Sequence, residues 1–119
     1  MRIVNRKDFL DLSSGTIYAK YRSFGNFSEI SIKYDTQYDN DGIGMDWLYM
    51  ELNYFFPGQN SNDLFEKCEQ MEKDGSDCPL ELDSFMRDGL FELDRLFAVY
   101  SKHDVQLMIS KLQESISNL

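Results

Sequence analysis

Three stretches of this chain alternate along the backbone with a period of two, and that pattern limits the fold more than any other feature, because only a strand places successive side chains on opposite faces. In Thr16–Arg22, Ile17, Ala19 and Tyr21 share one side while Thr16, Tyr18, Lys20 and Arg22 share the other. Ser28–Tyr34 repeats the pattern with Ile30, Ile32 and Tyr34. Between them Phe24-Gly25-Asn26-Phe27 has turn chemistry, so the two stretches read as a hairpin. A polar loop, residues 35–45, leads to a third alternating stretch, Asp46–Phe55, which Pro57-Gly58 stops. There Leu48, Met50, Leu52 and Tyr54 oppose Trp47, Tyr49, Glu51 and Asn53. The Ile17, Ile32 and Leu48 side is expected to face the core.

Helical signals surround these strands. Asn5 is placed to cap a short helix over Arg6–Leu12, with Asp8 in its first turn and Phe9, Leu10 and Leu12 for burial. Ser61 or Asn62 caps a second helix from about Asp63 to Lys73, closed by Asp74-Gly75. Past Pro79 a short extended piece, Leu80–Asp83, leads to a turn at Arg87-Asp88-Gly89. Leu96–Tyr100 reads as a buried strand, and Ser101–Asp104 is a capping signature opening the last helix. In that helix Val105, Met108, Ile109, Leu112, Ile116 and Leu119 recur at helical spacing, which predicts a stripe packed on the sheet. The expected fold is α+β: a single domain over residues 1–119, a mostly antiparallel sheet of about four strands packed by two or three helices, the amphipathic C-terminal helix among them.

At 119 residues the chain suits one domain able to bury a core without metal or disulfide. Its net charge of −9 disfavours wrapping nucleic acid or docking on an anionic membrane. No signal peptide or membrane span is visible, so a soluble cytoplasmic protein is expected. Cys68 and Cys78 belong to no CxxC pattern and read as reduced thiols. The charge is unevenly distributed: +3 over residues 1–34, −12 over residues 35–95, and zero over residues 96–119.

Catalytic signatures are lacking. There is no G-x-S-x-G, phosphate-binding loop or G-x-G-x-x-G, and the single histidine, His103, has no partner identifiable from sequence. Asp39-Asn40-Asp41-Gly42 invites comparison with a calcium loop, but placing Gly42 at position six puts Gln37 and Leu48 where oxygen donors are required. A solvated turn fits better. Neither an enzyme nor a cofactor is expected.

Two features have functional potential. One is an acidic belt, represented by Asp35, Asp39, Asp41, Asp46, Glu66, Glu69, Glu72, Asp74 and Asp77. Such a surface competes with nucleic acid for a basic groove on another protein, although acidity also serves plain solubility. The other is the sheet side with Tyr18, Trp47 and Tyr49 beside Lys20 and Lys33. If that side faces outward, it is a stacking platform for a ligand or a homodimer face; if a helix covers it, it is core.

Two groups of segments also have a familiar form. Arg6-Lys7-Asp8-Phe9-Leu10-Asp11-Leu12 with Gly15-Thr16-Ile17-Tyr18-Ala19-Lys20-Tyr21 resembles the opening of small uncharacterised accessory proteins encoded by bacteriophages and prophages. Arg87-Asp88-Gly89-Leu90-Phe91, Leu96-Phe97-Ala98-Val99-Tyr100 and Asp104-Val105 are similar to their closing segment. The resemblance implies a phage accessory role and transfers no functional residue. The expectation that follows is a non-enzymatic inhibitor of a host defence system, anti-CRISPR-like, which binds a host protein or ribonucleoprotein complex through its acidic surface. Two alternatives stand beside it: an oligomeric sponge for a signalling nucleotide, using Tyr18, Lys20, Trp47 and Tyr49, and an immunity protein neutralising a basic toxin.

Overall fold

The backbone hydrogen bonds of the alternating stretches are made to one another, in one antiparallel sheet. The structure is a computed structural model describing residues 1–119. Its elements in chain order are β1 (Arg2–Val4), α1 (Arg6–Leu10), β2 (Ile17–Ser23), β3 (Asn26–Phe27), β4 (Ser31–Tyr38), β5 (Gly44–Glu51), α2 (Ser61–Asp74), β6 (Met86–Arg87), β7 (Leu96–Val99) and α3 (Lys102–Ile116). The spatial order is β1-β7-β2-β4-β5-β6, with β3 paired to β2, and every pairing is antiparallel. The fold is therefore α+β, a single small domain. The sheet has seven strands where about four were expected, because β1, β3 and β6 are two or three residues long and too short to show a period.

The core lies on the opposite side of the sheet from the one expected. Phe9, Leu10, Tyr18, Trp47, Phe97 and Val99 form a single buried cluster. Phe9 of α1 stacks on Phe97, with ring centroids 4.0 Å apart, and meets Trp47 edge-on at 5.1 Å. Thus α1 covers the side bearing Tyr18, Lys20, Lys33, Trp47 and Tyr49, and the outward aromatic platform does not exist. Both sides of these strands are apolar, so alternation separates two sets without saying which is inside; the larger aromatic area and its good ring contacts decide. The opposite side is partly covered: Ala19, Met50 and Ala98 are buried, while Ile17 and Leu48 are half-buried.

Local rules set the element ends. The Asn5 side chain accepts the Asp8 N–H at the start of α1. Asn60, not Ser61 or Asn62, caps α2 by accepting the Asp63 N–H, and Gly75 closes that helix in the left-handed conformation with φ 68°. Ser101 and Asp104 form a complete capping box on α3. The packing of the two long helices departs from expectation. Neither α2 nor α3 has a buried residue, and of the stripe on α3 only Val105 and Met108 are half-buried, while Ile109, Leu112, Ile116 and Leu119 are exposed.

Candidate functional site

The inward position of the Tyr18 side of the sheet creates a small cavity at one edge of the aromatic core. It measures about 170 Å³ and is lined by Tyr18, Lys20 and Arg22 from β2, Ser28 and Glu29 from the link to β4, Ser31 of β4, Tyr49 and Glu51 of β5, and Asp88 with Leu90. The strands bring these residues together because Tyr18 is in register with Ser31, and Ser31 with Glu51. Tyr18, Lys20 and Tyr49 therefore do share a site, although as walls of a cavity rather than as a flat platform.

Polar groups here are held by one another. Trp47 Nε1 donates to the Tyr18 hydroxyl at 2.9 Å, and both residues are buried. Lys20 Nζ lies 2.8 Å from Asp88 Oδ1 and 2.8 Å from Glu92 Oε1, and Arg95 also pairs with Glu92. Hydrogen bonds from Arg95 and Lys20 hold the Glu92 carboxyl down at about 2. Burial raises Glu51, and the nearby Glu29 carboxylate raises it further. Burial also raises the Tyr18 and Tyr49 hydroxyls, so both stay protonated. Lys20 and Arg22 thus face Glu29, Glu51 and Asp88, a balance that disfavours phosphate.

Lys33 and Trp47 do not line this cavity. Lys33 is fully buried, with Nζ donating to the Leu12 carbonyl at 2.8 Å, the Tyr34 carbonyl at 3.1 Å and Thr36 Oγ1 at 2.7 Å. Burial lowers its pKa, and its ammonium serves as a clamp between α1 and β4. Trp47 is wholly enclosed, with the Arg6 guanidinium carbon 5.4 Å from its ring centroid.

The acidic belt divides into three kinds of residue. Asp46 is 1% exposed and belongs to the interior. It accepts Arg87 Nε at 2.5 Å and the Gly89 N–H at 3.1 Å, joining β5 to β6. Burial alone would raise its pKa, but bonds from Arg87, Gly89 and Trp47 lower it instead. Asp39 is bound up in its own turn, accepting N–H groups of Asp41 and Ile43 at 2.9 Å each, and Asp35 accepts the Ser14 hydroxyl at 2.6 Å. The exposed remainder is Asp41, Glu66, Glu69, Glu72, Asp74 and Asp77. Four of those six belong to α2, where the Glu69–Lys73 pair at 3.5 Å is the only ion pair.

Sequence reasoning missed Asp88, Glu92 and Arg95, the network that holds Lys20. Part of its signal was present in the E-L-D-R run, which sets Glu92 three residues from Arg95. The turn chemistry of Arg87-Asp88-Gly89 gives no sign that Arg87 pairs with Asp46 and Asp88 with Lys20. α1, β2, β5 and β7 build the core, whereas the acidic α2 stands outside it. No protein-family model, curated protein or solved structure matches the chain.

Proposed function

We propose that the chain is a phage-encoded, non-enzymatic inhibitor of a host defence system, anti-CRISPR-like in action, which presents the acidic face of α2 to a basic groove on a host protein or ribonucleoprotein complex in the cytoplasm. One observation carries this reading: α2 stands off the sheet with no buried residue and displays Glu66, Glu69, Glu72 and Asp74 to solvent. Successive glutamates rise about 4.5 Å along the axis, giving a row of carboxylates that a phosphate-binding groove accepts in place of a backbone. The reading as an immunity protein rests on the same row and differs only in the partner, a basic toxin. The nucleotide-sponge reading loses its support, since Trp47 is enclosed and the Tyr18 cavity has an excess of carboxylates.

The test is affinity capture from bacterial lysate with the tagged chain, washed at low and at high salt, beside the triple variant Glu66→Lys/Glu69→Lys/Glu72→Lys. A partner retained at low salt, released at high salt and lost by the triple variant is expected. Capture that survives both the salt wash and the three reversals would show that α2 is not the binding surface.

A further inference from the structure

Past the half-buried Val105 and Met108, the stripe on α3 is left exposed by the fold, and its spacing says what fits it. Val105, Ile109, Leu112, Ile116 and Leu119 follow one another at intervals of four, three, four and three residues. Within α3 this is the apolar repeat of a coiled-coil seam, with Ile109 and Ile116 at one core position and Val105 and Leu112 at the other, Leu119 lying just past the helix end. β-Branched residues at the first position and leucine at the second favour two strands. Ile109 is 48% exposed, Leu112 64% and Ile116 67%. The helix is held at its start by the capping box, by the half-buried Val105 and Met108, and by the Met1 amino group, 2.6 Å from Asp104 Oδ2.

Charge identifies the occupant. The chain has a net charge of −9, so two copies repel wherever acidic surfaces meet, and α2 is such a surface. Residues 96–119 sum to zero, and the positions flanking the seam, Gln106, Met108, Gln113 and Ser115, carry no charge at all. A basic partner finds nothing there to pair with, whereas a second copy meets an apolar seam with no like charges opposed across it. We propose that α3 is a self-association seam and that two copies of this chain pair α3 against α3. A helix of 15 residues is roughly 22 Å long. That length puts the interface at the small end of specific contacts, so the dimer forms and dissociates in the micromolar range.

Sedimentation equilibrium of the chain alone, from micromolar to near-millimolar concentration, tests this directly. The weight-average mass is expected to climb from 14.0 kDa toward twice that value. The variant Leu112→Asn/Ile116→Asn is expected to stay monomeric, with unchanged Trp47 fluorescence as proof that the core is intact. Leu107→Asn, which alters an exposed leucine off the stripe, is expected to dimerise like the parent. A monomer at every concentration would overturn the proposal, as would a dimer equally strong in the double variant or one abolished by Leu107→Asn. No host partner enters this measurement, so its failure is separate from failure of the α2 reading.

Discussion

Asp41 and Asp46 stand five residues apart in one acidic run, yet their environments assign them opposite work. Asp41 is exposed, while Asp46 is enclosed and binds Arg87 and Gly89 across two strands. Asp46→Ala removes the buried acceptor of Arg87 Nε and the Gly89 N–H; because Arg87 is 56% exposed and water can resolvate it, the cost is expected to be about 1–2 kcal/mol in urea unfolding. Asp41→Ala is expected to fall within about 0.5 kcal/mol of the parent. Glu92 adds a pH signature. Its folded pKa, about 2, lies below its ordinary 4.5, so the stability it contributes is complete above 4.5 and is lost as pH falls toward 2. Partial exposure screens the pairs, so the gap between the parent and Glu92→Gln is expected to be on the order of 1–2 kcal/mol near neutral pH. That gap should close progressively in melts taken below pH 4.5; a constant gap would mean that the carboxylate's charge is not what the site uses. Sequence could not sort these acids, because burial is a property of the partner strand and Arg87 lies 41 residues from Asp46.

At the scale of elements, local rules were legible and choices between faces were not. The caps of α1 and α3, the glycine closing α2 and the hairpin at Phe24-Gly25 all follow from short-range chemistry, and the structure has them. What alternation could not supply was the covered side of the sheet, since Tyr18 and Trp47 have both the apolar area for a core and the polar tips of a surface. Their tips bond to each other, which removes the cost of burying them. The hairpin itself invites a test. Phe24 has φ 43° and Gly25 φ 83°, so both central residues of the turn are left-handed. A bulky residue is strained there, and Phe24 is 98% exposed and buries nothing in return. Phe24→Asn produces the Asn-Gly pair that such turns favour, and it should raise stability by about 0.5–1 kcal/mol, read as a higher thermal midpoint. A lower midpoint would mean that Phe24 makes a contact in the folded ensemble that its exposure conceals.

The whole molecule is more extended than its length requires. A compact domain of 119 residues has a radius of gyration of roughly 13.5 Å, and this one measures 16.8 Å with extents of 50 × 36 × 27 Å. The excess comes with two helices that hold no fully buried residue, one acidic and one neutral with an apolar stripe. The sequence displayed the stripe on α3, but periodicity says only that a face needs covering, not that its own sheet covers it. Two projecting helices of different charge give the molecule two surfaces that respond to salt in opposite directions. Raising salt from 0.1 M to 1 M shortens the screening length from about 10 Å to about 3 Å. Capture of a basic partner by α2 then weakens, while pairing of two −9 chains through α3 tightens, because the repulsion between the two acidic bodies is screened and the seam itself has no charge to lose. Each Glu→Lys reversal changes the charge by two, so the three reversals on α2 bring the chain from −9 to −3. The triple variant is therefore expected to lose its partner and, at low salt, to self-associate several-fold more tightly than the parent. Sedimentation of both chains at the two salt concentrations measures this. If the variant and the parent dimerise with equal affinity at low salt, the bulk charge does not oppose pairing, and the electrostatic argument for a second copy on α3 fails.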